Sequence, residues 1–381
     1  MKIVIFLNNS HNIVGRAYKE TVSLSRAGHV VTVLAKYNGD LPTEEIIGGA
    51  TVRRLIIWPE TRIPIIKQII FSYRWIRAGL DFETDVYQVA DADTLFEATI
   101  CAVLKRKKLI YDSYELFLNI VSLEHATLSR LYWWIKEYIG VYASDCVIAT
   151  NDERAKIMRA RYPFAEKIEV IENFPNKIVE TSELYEKNRH DMREKLGIGQ
   201  KTVFVFQGFL NRNRGLEELF EAFQYCKKMN DIAFVIIGKG DYKDRFEQLV
   251  ADKKYTNVIC TGKVNYLELS TYLSMGDVGM VFYPPICLNY VYAAPNKLYE
   301  YMMNGMAVLS NNTVTISRVI DAEKSGLWYA DGAKGLAEKI DYMAEHTGEV
   351  SEMKKRGYDA VMQKYNWEYQ EEKFLNIYKN V

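Results

Sequence analysis

A glycine-containing loop with two arginines follows an apolar segment in the second half of the chain. Residues 205–207 lead into Gly208, and Arg212 and Arg214 come just before Gly215. Apolar residues then recur at helical spacing, which predicts a helix directly after the loop. The free N–H groups and partial positive charge of a helix N-terminus, together with the planar donors of arginine, suit a diphosphate. The alternative interpretation is a solvated basic loop.

A second group of polar side chains opens the helix predicted between Pro295 and Gly305. Proline suits a first helical turn and glycine suits a C-terminal cap. Asn296 and Lys297 would present an amide and an ammonium group near the helix start. Glu300, one turn further, can accept hydrogen bonds from two vicinal hydroxyls of a ribose. The alternative is a first-turn glutamate that only complements the helix dipole.

Two further glycines, Gly238 and Gly240, follow the apolar segment that ends at Ile237. A complete G-x-G-x-x-G would indicate a dinucleotide, but Lys243 stands where the third glycine would be. The pair therefore predicts a tight strand-to-helix turn near a nucleotide. An NAD-dependent enzyme is a minor alternative.

Carboxylates follow two apolar segments in the first half of the chain. Asp91 and Asp93 come after one segment, and Tyr114 and Glu115 come after the next. Carboxylates at strand ends can position an acceptor hydroxyl or act as a base. Asp93 precedes the predicted helix 95–104, so we interpret it as a helix cap and Asp91 as the functional candidate.

The segments that carry these side chains belong to a chain in which short apolar runs alternate with helical patterns. Such runs are typical of strands buried on both faces of a parallel sheet, with helices between them as the covering layers. Ligands of these sheets bind at the carboxyl ends of strands. The predicted strands are Lys2–Leu7, Val30–Ala35, Thr51–Trp58, Val86–Ala90, Leu109–Asp112, Cys146–Thr150, Thr202–Gln207, Ala233–Gly238, Val258–Thr261, Val278–Tyr283 and Ala307–Ser310, with another near Trp328.

The alternation breaks between residues 168 and 186, where turn residues precede a polar stretch. We therefore predict an N-terminal domain over 1–176, a C-terminal domain over 177–365, and a final helical segment over 366–381. The same α/β pattern in both halves predicts two domains with a cleft between them.

Composition narrows the class of protein. The 381 residues include 49 basic and 49 acidic side chains, so a nucleic-acid partner is disfavoured. Five cysteines are scattered singly without metal-ligand spacing, which predicts a reducing compartment and no metal site. We expect no signal peptide and, since no apolar run approaches about 20 residues, no membrane span.

The predicted helix 62–80 carries apolar residues on more than one face. Phe71 and Trp75 lie away from a stripe of isoleucines and are flanked by Lys67 and Arg74. Aromatic side chains beside cations are typical of a helix at a membrane interface. The alternative is packing against a loop or subunit. Residues 132–136 could form a second such surface, although we favour their aromatic rings as core residues.

Two of these segments together resemble a known family. The loop G-F-L-N-R-N-R-G at 208–215, paired with P-N-K-L-Y-E-Y-M-x-x-G-x-A-V at 295–308, resembles the GT-B glycosyltransferases, family 4 in particular. N-x-x-H-N-x-x-G-R, A-D-A-D-T-L, Y-D-S-Y-E-L-F, I-E-N-F-P and I-I-G-K-G occur in the expected order along nearly the whole chain. The resemblance implies an α/β fold of two facing Rossmann-like domains with parallel sheets, a deep interdomain cleft, and a last helix crossing back to the N-terminal domain.

The resemblance also implies roles for individual residues. Arg214 stands where the family usually has a phosphate-binding lysine, and Glu300 matches the glutamate that holds the donor ribose. The expected catalytic residues are Asp91, Arg214 and Glu300; the expected donor-binding residues are Gly208, Arg212, Arg214, Gly238, Gly240, Tyr283, Asn296, Lys297, Leu298 and Glu300; and the expected acceptor-side residues are Gly15, Asp91, Tyr114 and Glu115. The donor would be a nucleoside diphosphate sugar, with UDP or GDP favoured.

The sequence departs from the family pattern at several positions. Tyr292 stands where many relatives have a glutamate that contacts the donor sugar, and Phe209 stands where they often have a second phosphate-binding arginine, for which Arg212 could substitute. Tyr114 and Ala90 occupy places where similar proteins often have histidine.

We therefore predict a retaining, metal-independent glycosyltransferase that acts on a glycan or lipid-linked acceptor in surface polysaccharide synthesis. Cationic side chains and helix dipoles would stabilise the leaving nucleoside diphosphate. The predicted location is cytoplasmic, with a peripheral position on the inner face of the plasma membrane as a further option. The alternatives are a catalytically silent partner of an active transferase, motivated by Tyr292 and the missing histidines, and a GT-B epimerase or phosphorylase.

Overall fold

Two sheets, each covered by helices, form two units in the computed structural model of this chain. The structure describes residues 1–11, 15–59, 61, 63–178 and 181–381. The first unit contains Met1–Asn173, Cys287–Asn289 and Gln370–Val381. The second contains Phe174–Ile286 and Tyr290–Tyr369. The predicted α/β class with parallel sheets in two domains is thereby confirmed.

The first unit is built on a sheet of eight strands in the order β3-β4-β2-β1-β5-β6-β7-β8. Its strands pair in parallel, except that β3 runs antiparallel to β4 at one edge. The chain adds strands in one direction from β1 to β2 and in the other from β5 onward, so a switch point lies between β1 and β5. The strands are β1 (Lys2–Leu7), β2 (Val30–Lys36), β3 (Glu44–Ile47), β4 (Ala50–Leu55), β5 (Val86–Ala90), β6 (Lys108–Ser113), β7 (Cys146–Ala149) and β8 (Ile168–Val170).

The second unit is built on a sheet of six strands in the order β11-β10-β9-β12-β13-β14, all paired in parallel. Here the switch point lies between β9 and β12, so the loops after these two strands open at the same place. The strands are β9 (Thr202–Phe209), β10 (Ile232–Lys239), β11 (Val258–Gly262), β12 (Val278–Val281), β13 (Ala307–Asn311) and β14 (Gly326–Tyr329).

Helices connect the strands and cover the sheets. Those of the first unit are α1 (Arg16–Arg26), α2 (Pro64–Leu80), α3 (Leu95–Lys105), α4 (Thr127–Ala143) and α5 (Asp152–Arg161), with short 3₁₀ turns at Ala92–Thr94, Phe117–Asn119 and Val121–Leu123. Those of the second unit are α6 (Ser182–Lys195), α7 (Leu216–Ala222), α8 (Lys243–Asp252), α9 (Tyr266–Leu273), α11 (Asn296–Met303), α12 (Val314–Glu323), α13 (Gly332–Glu345) and α14 (Thr347–Gln363). The short α10 (Leu288–Val291) lies where the chain passes between units, and α15 (Trp367–Lys379) lies mostly in the first unit.

A buried cluster of charged side chains anchors α1 in the first unit. The Arg16 guanidinium donates to both carboxylate oxygens of Asp112 on β6 at 3.0 and 2.8 Å and forms an ion pair with Glu20 at 2.7 Å. Gln88 on β5 donates to the other oxygen of Glu20 at 2.9 Å, and the Tyr378 hydroxyl of α15 donates to Gln88. Buried charges are stable in proteins when they are paired in this way.

The membrane hypothesis for Phe71 and Trp75 is wrong, because both side chains are core residues, 3% and 0% exposed. Trp75 stacks on Phe6 of β1 with ring centroids 5.5 Å apart. The bulky rings fill the space between α2 and the sheet, whereas Ile66 and Ile69 are exposed and Ile70 and Ile76 are half-buried. Lys67 and Arg74 are half-buried, and Arg74 donates to the carbonyl of Ile56 at 2.7 Å.

The expectation that the aromatic residues of segment 132–136 lie in the core also fails in part. Trp133 is half-buried, but Tyr132 and Trp134 are exposed on the outer face of α4. Among the residues that the structure describes, no helix is long and apolar enough to cross a membrane.

Candidate functional site

The switch point of the second sheet brings together two loops that the sequence singled out. β12 pairs with β9, so the loop from Gly208 to Gly215 and the segment that begins at Phe282 open beside each other. Asn311, at the end of β13, holds the second segment in place: its side chain accepts from the Tyr283 N–H at 2.7 Å and donates to the Tyr283 carbonyl at 2.8 Å. These contacts fix the Tyr283 ring within the second unit.

Two cationic side chains lie over the Tyr283 ring. The Arg214 guanidinium carbon is 5.7 Å from the centroid of this ring and 4.9 Å from that of Tyr290. The Lys297 ammonium is 5.3 Å from the Tyr283 centroid and 4.6 Å from that of Phe206. Aromatic faces hold cations without neutralising them, so the pair retains its attraction for an anion.

The pKa of Lys297 reflects this neighbourhood. Burial and the nearby charge of Arg214 lower the pKa of Lys297 to about 7, against the opposing effect of Glu300. The ammonium is therefore only partly charged near neutral pH. An arriving dianion would reverse the balance, because an opposite charge favours the protonated form.

Gly215 allows the helix after the loop to start close to β12. Its φ of 85° lies in the left-handed region, and it stands at the N-cap of α7. A Cβ atom at this position would lie 2.4 Å from the Cβ of Phe282. Glycine thus permits α7 to direct its N-terminal N–H groups towards the same switch point as Arg214.

Glu300 is hydrogen-bonded to a residue that the sequence analysis did not select. Gln207, the last buried residue of β9, donates from its side chain to the Glu300 carboxylate and from its backbone N–H to the Tyr301 hydroxyl at 2.8 Å. The Gln207 Oε1 atom is buried without a hydrogen-bond partner among the described residues. The only available signal was its place immediately before Gly208.

Gly238 and Gly240 serve the close approach of two segments. A Cβ at Gly238 would lie 1.9 Å from the Gly208 carbonyl oxygen, and one at Gly240 would lie 2.3 Å from the Leu210 carbonyl oxygen. The end of β10 can therefore lie against the backbone of the loop that carries Arg214. This is a structural role for both glycines at the edge of the candidate site.

Other predicted donor residues lie less centrally. Arg212 is exposed, and its charge only partly opposes the rise that burial causes in the pKa of Tyr242. Leu298 is buried in the core, so only its backbone could touch a ligand. Asn296 is the first residue of α11 and is half-buried.

The first unit carries its polar residues at its own switch point. The Asp91 side chain accepts from the Ala92 N–H at 3.1 Å and caps the following 3₁₀ turn. The N-cap of α3 is Thr94, without a side-chain cap hydrogen bond, so the cap predicted for Asp93 is not found. Asp91 has a φ of 71°, which places it in the left-handed region. Burial raises the pKa of Asp91 well above its ordinary value, and the charges of Glu115 and Asp93 add to this. Burial also raises the pKa of Asp93 to about 6, against a 2.6 Å hydrogen bond from Asn8.

Of the remaining acceptor-side residues, Tyr114 and Gly15 lie beside Arg16. The Tyr114 ring lies 5.3 Å from the Arg16 guanidinium carbon, and its hydroxyl is buried without a hydrogen-bond partner among the described residues. Gly15, with a φ of 87°, is the N-cap of α1, and Glu115 is exposed. Asn12, part of the motif that precedes Gly15, lies outside the described residues.

No group of three or more metal-ligating side chains was found in the described part of the chain. The buried Arg16–Asp112 pair was not predicted, although both residues stand inside motifs that the sequence analysis quoted.

Models of known protein families match both halves of the chain. The model of the family described as Glycosyltransferase Family 4 matches residues 17–176, and the model described as Glycosyl transferases group 1 matches residues 188–360.

An uncharacterised glycosyltransferase of Methanocaldococcus jannaschii is 24% identical over 249 residues, which are 64% of this chain and 62% of that protein. Among solved structures, sucrose-phosphate synthase of Thermosynechococcus elongatus aligns with a TM-score of 0.77 at 17% identity, over 100% of this chain and 99% of that one. Anabaena HepE, in a complex with UDP and glucose, aligns with a TM-score of 0.77 at 15% identity over 100% of both chains. These structural likenesses establish the shared fold.

Proposed function

We propose that this chain, which belongs to the glycosyltransferases of the GT-B fold, transfers a sugar from a nucleoside diphosphate donor to a hydroxyl group of a glycan or lipid-linked acceptor. The observation that carries the proposal is the pair of cations, Arg214 and Lys297, held over Tyr283 at the switch point of the second sheet. Cations beside a helix N-terminus can stabilise the charge that develops on a leaving diphosphate.

Glu300 is proposed to hold the donor ribose. It lies one turn into α11, beside Lys297, and its carboxylate is oriented by Gln207. A carboxylate accepts hydrogen bonds from two vicinal hydroxyls, which is the chemistry that ribose offers. UDP is the first nucleotide to test, because the similar Anabaena protein was solved with UDP.

Asp91 is proposed to position the acceptor hydroxyl. Burial raises its pKa, so its carboxyl group holds a proton more readily than an exposed aspartate does, which supports a role in proton exchange with a hydroxyl group. Transfer with retention, without a metal and in surface polysaccharide synthesis remains part of the proposal. Proton NMR of the first-formed product measures retention directly, since it reads the anomeric configuration.

We also propose a cytoplasmic location with peripheral contact to a membrane. The five cysteines are all free in the structure, as expected of a protein in a reducing compartment. Lys67, Phe71, Arg74 and Trp75 do not supply that contact as first predicted, because the two rings are buried.

The test is calorimetric titration with UDP, GDP, ADP and dTDP, with and without added Mg²⁺. We expect one nucleotide to bind without the metal, and Glu300→Ala to weaken binding at least about tenfold, as for a lost hydrogen bond to a charged group. Glu221→Ala, an exposed glutamate on α7, is the matched control and should bind as the wild type does. Failure of every nucleotide to bind would overturn the proposal in favour of a catalytically silent partner protein.

A further inference from the structure

Helix α4 presents an outer face that carries no charge. Ten of its residues are exposed, and apart from Thr127 and Ser129 all are large and apolar or aromatic: Leu128, Leu131, Tyr132, Trp134, Ile135, Tyr138, Ile139 and Tyr142. Leu128 and Tyr142 are the most open, at 83% and 73% exposed. A surface helix normally has the opposite pattern, with its charged residues outside.

The charged residues of α4 point inward instead. Lys136 is buried and forms an ion pair with Glu97 of α3 at 2.9 Å, while Glu137 is buried and accepts from the hydroxyls of Tyr111 and Tyr162 at 2.9 and 2.6 Å. Arg130 is half-buried at the edge of a small pocket. The interior of the unit thus takes the polar side of α4, and the apolar side is left at the surface.

Helix α2 of the same unit also exposes apolar side chains. Ile65, Ile66, Ile69 and Tyr73 are exposed along it, and α3 packs against both α2 and α4. In the described part of the second unit, by contrast, no helix exposes more than two large apolar residues. Exposed apolar side chains concentrated on a few neighbouring helices mark a contact surface.

The positive charges beside this surface indicate which kind of partner it binds. Lys67, Arg74 and Arg77 are the charged residues of α2, and the helix contains no acidic residue. Arg74 donates to backbone carbonyls, which leave its charge in place. A symmetric dimer through this surface would bring the same cations of two copies together, since such interfaces pair a patch with itself.

An anionic membrane surface can bind both the exposed apolar side chains and the cationic side chains beside them. Negative headgroups attract Lys and Arg, and tyrosine and tryptophan rings are favoured at the level of the headgroups because they combine an apolar body with a polar tip. Four of the eight exposed apolar side chains of α4 are Tyr or Trp. We infer that the outer face of α4, together with the exposed residues Ile65, Ile66, Ile69 and Tyr73 of α2, is a docking surface for an anionic lipid bilayer.

This inference deepens the peripheral location proposed above and rests on that part of the proposal, not on the transfer reaction. The test is co-sedimentation of the full-length protein with vesicles of phosphatidylcholine alone and of phosphatidylcholine with 30% phosphatidylglycerol. We expect stronger binding to the anionic vesicles, weakened by salt. The triple variant Leu128→Gln/Ile135→Gln/Tyr142→Gln should lower the partition coefficient at least about tenfold, because it removes three apolar side chains from the contact.

The matched control is Leu184→Gln/Leu267→Gln/Tyr369→Gln, which changes three exposed apolar residues of the second unit. It should sediment as the wild type does. Lys67→Gln/Arg77→Gln should reduce the preference for anionic vesicles and leave the weaker binding to phosphatidylcholine.

Brominated phosphatidylcholine provides a measurement on the unaltered protein. It should quench tryptophan fluorescence, and Trp134→Phe should remove most of that quenching while keeping the face apolar. Wild-type levels of sedimentation by the α4 triple variant would overturn the inference, as would conversion of a wild-type dimer into a monomer by that variant without vesicle binding. Nucleotide binding is measured on the same samples and should be unchanged in the triple variant. A failure of the donor site and a loss of membrane contact are thereby distinguished.

Discussion

Arg214 and Lys297 both lie within 6 Å of the centroid of the Tyr283 ring, and the effect of the Arg214 charge on Lys297 has a measurable consequence. With a pKa of about 7, Lys297 is mostly neutral at pH 8 in the free protein. A bound diphosphate adds negative charge beside it and raises that pKa, so binding should draw a proton from solution.

We therefore predict proton uptake when the nucleoside diphosphate binds at pH 8. Calorimetric titrations in buffers of different ionisation enthalpy measure the number of protons taken up, and we expect a value between about 0.5 and 1 from a single group that titrates near 7. Lys297→Met should abolish the uptake, whereas Lys263→Met, which removes an exposed lysine, should leave it intact. Equal uptake in the wild type and in Lys297→Met would show that another group takes the proton.

The Arg16 cluster supports a second prediction at the scale of single residues. Although burial opposes its charge, Asp112 and Glu20 raise the pKa of Arg16, so the guanidinium stays charged inside the first unit. Arg16→Met should destabilise the protein by about 3–5 kcal/mol, because it leaves the Asp112 carboxylate buried and unpaired. Urea unfolding at pH 7, followed by tryptophan fluorescence, measures the change.

The control for that experiment is Arg26→Met, an exposed arginine on the same helix, which should change stability by less than about 0.5 kcal/mol. The double variant Arg16→Met/Asp112→Asn should recover part of the loss, because it removes the Asp112 charge while Glu20 stays buried. A double variant as unstable as Arg16→Met would mean that the lost packing of the arginine side chain, not its charge, accounts for the effect.

Individual contacts of the candidate site could be predicted only in part. Phosphate and ribose binding could be predicted for Arg214, Lys297 and Glu300 from their residue types, because few other roles suit these side chains at a helix N-terminus. Gln207 carries no such signal: its hydrogen bond to Glu300 depends on how β9 and α11 pack. Side-chain pairs between distant segments follow from tertiary packing, which spacing along the sequence does not specify.

At the scale of elements, the end of β10 and the loop after β9 approach each other through glycine. Gly238, with a φ of 153°, faces the Gly208 carbonyl so closely that no other residue fits without moving one of the strands. A parallel sheet can carry a ligand loop at a strand end only if the neighbouring backbone leaves room for it.

We predict that Gly238→Ala lowers stability by about 3 kcal/mol and weakens nucleotide binding, because both the steric overlap and the positive φ must be relieved. Thermal unfolding and calorimetric titration test the two effects. Gly348→Ala is the matched control: no atom lies within 4 Å of the added Cβ, and its φ is not positive. That variant should be neutral or stabilising by up to about 1 kcal/mol. A Gly238→Ala protein as stable as the wild type would mean that β10 is free to shift.

The elements themselves were largely predictable. The strands Lys2–Leu7 and Val86–Ala90 were predicted to the residue, because runs buried on both faces are apolar throughout. The edge strand β3 was missed, since its sequence Glu-Glu-Ile-Ile has little of that character. Which face of α2 is buried was predicted wrongly, because the helix is apolar on two faces. The buried face is the one with Trp75, which stacks on Phe6 of β1.

At the scale of the whole molecule, the first unit is assembled from distant parts of the chain. Phe374, Ile377 and Tyr378 of α15 are buried, and the Tyr378 hydroxyl donates to Gln88 in the middle of the first sheet. The core of this unit is therefore incomplete without residues that follow the entire second unit.

We predict that a fragment of residues 1–173 is less stable than the first unit in the intact chain and is stabilised by a synthetic peptide of residues 366–381. A peptide that binds only the folded fragment should raise its melting temperature by roughly 5–10 °C at about a hundred times its dissociation constant. The same peptide with Tyr378→Ala should have a smaller effect. No response to either peptide would mean that the fragment folds without α15.

The return of α15 to the first sheet also sets an order of events during synthesis. The ribosome releases the first 173 residues early, yet α15 emerges only after every residue of the second unit. At a synthesis rate of about 5–20 residues per second, all strands of the second unit have left the ribosome before α15 can pack against the first sheet. The unit that is synthesised first is thus the last to complete its core. Until then, the surface that α15 will cover is exposed to chaperones and proteases.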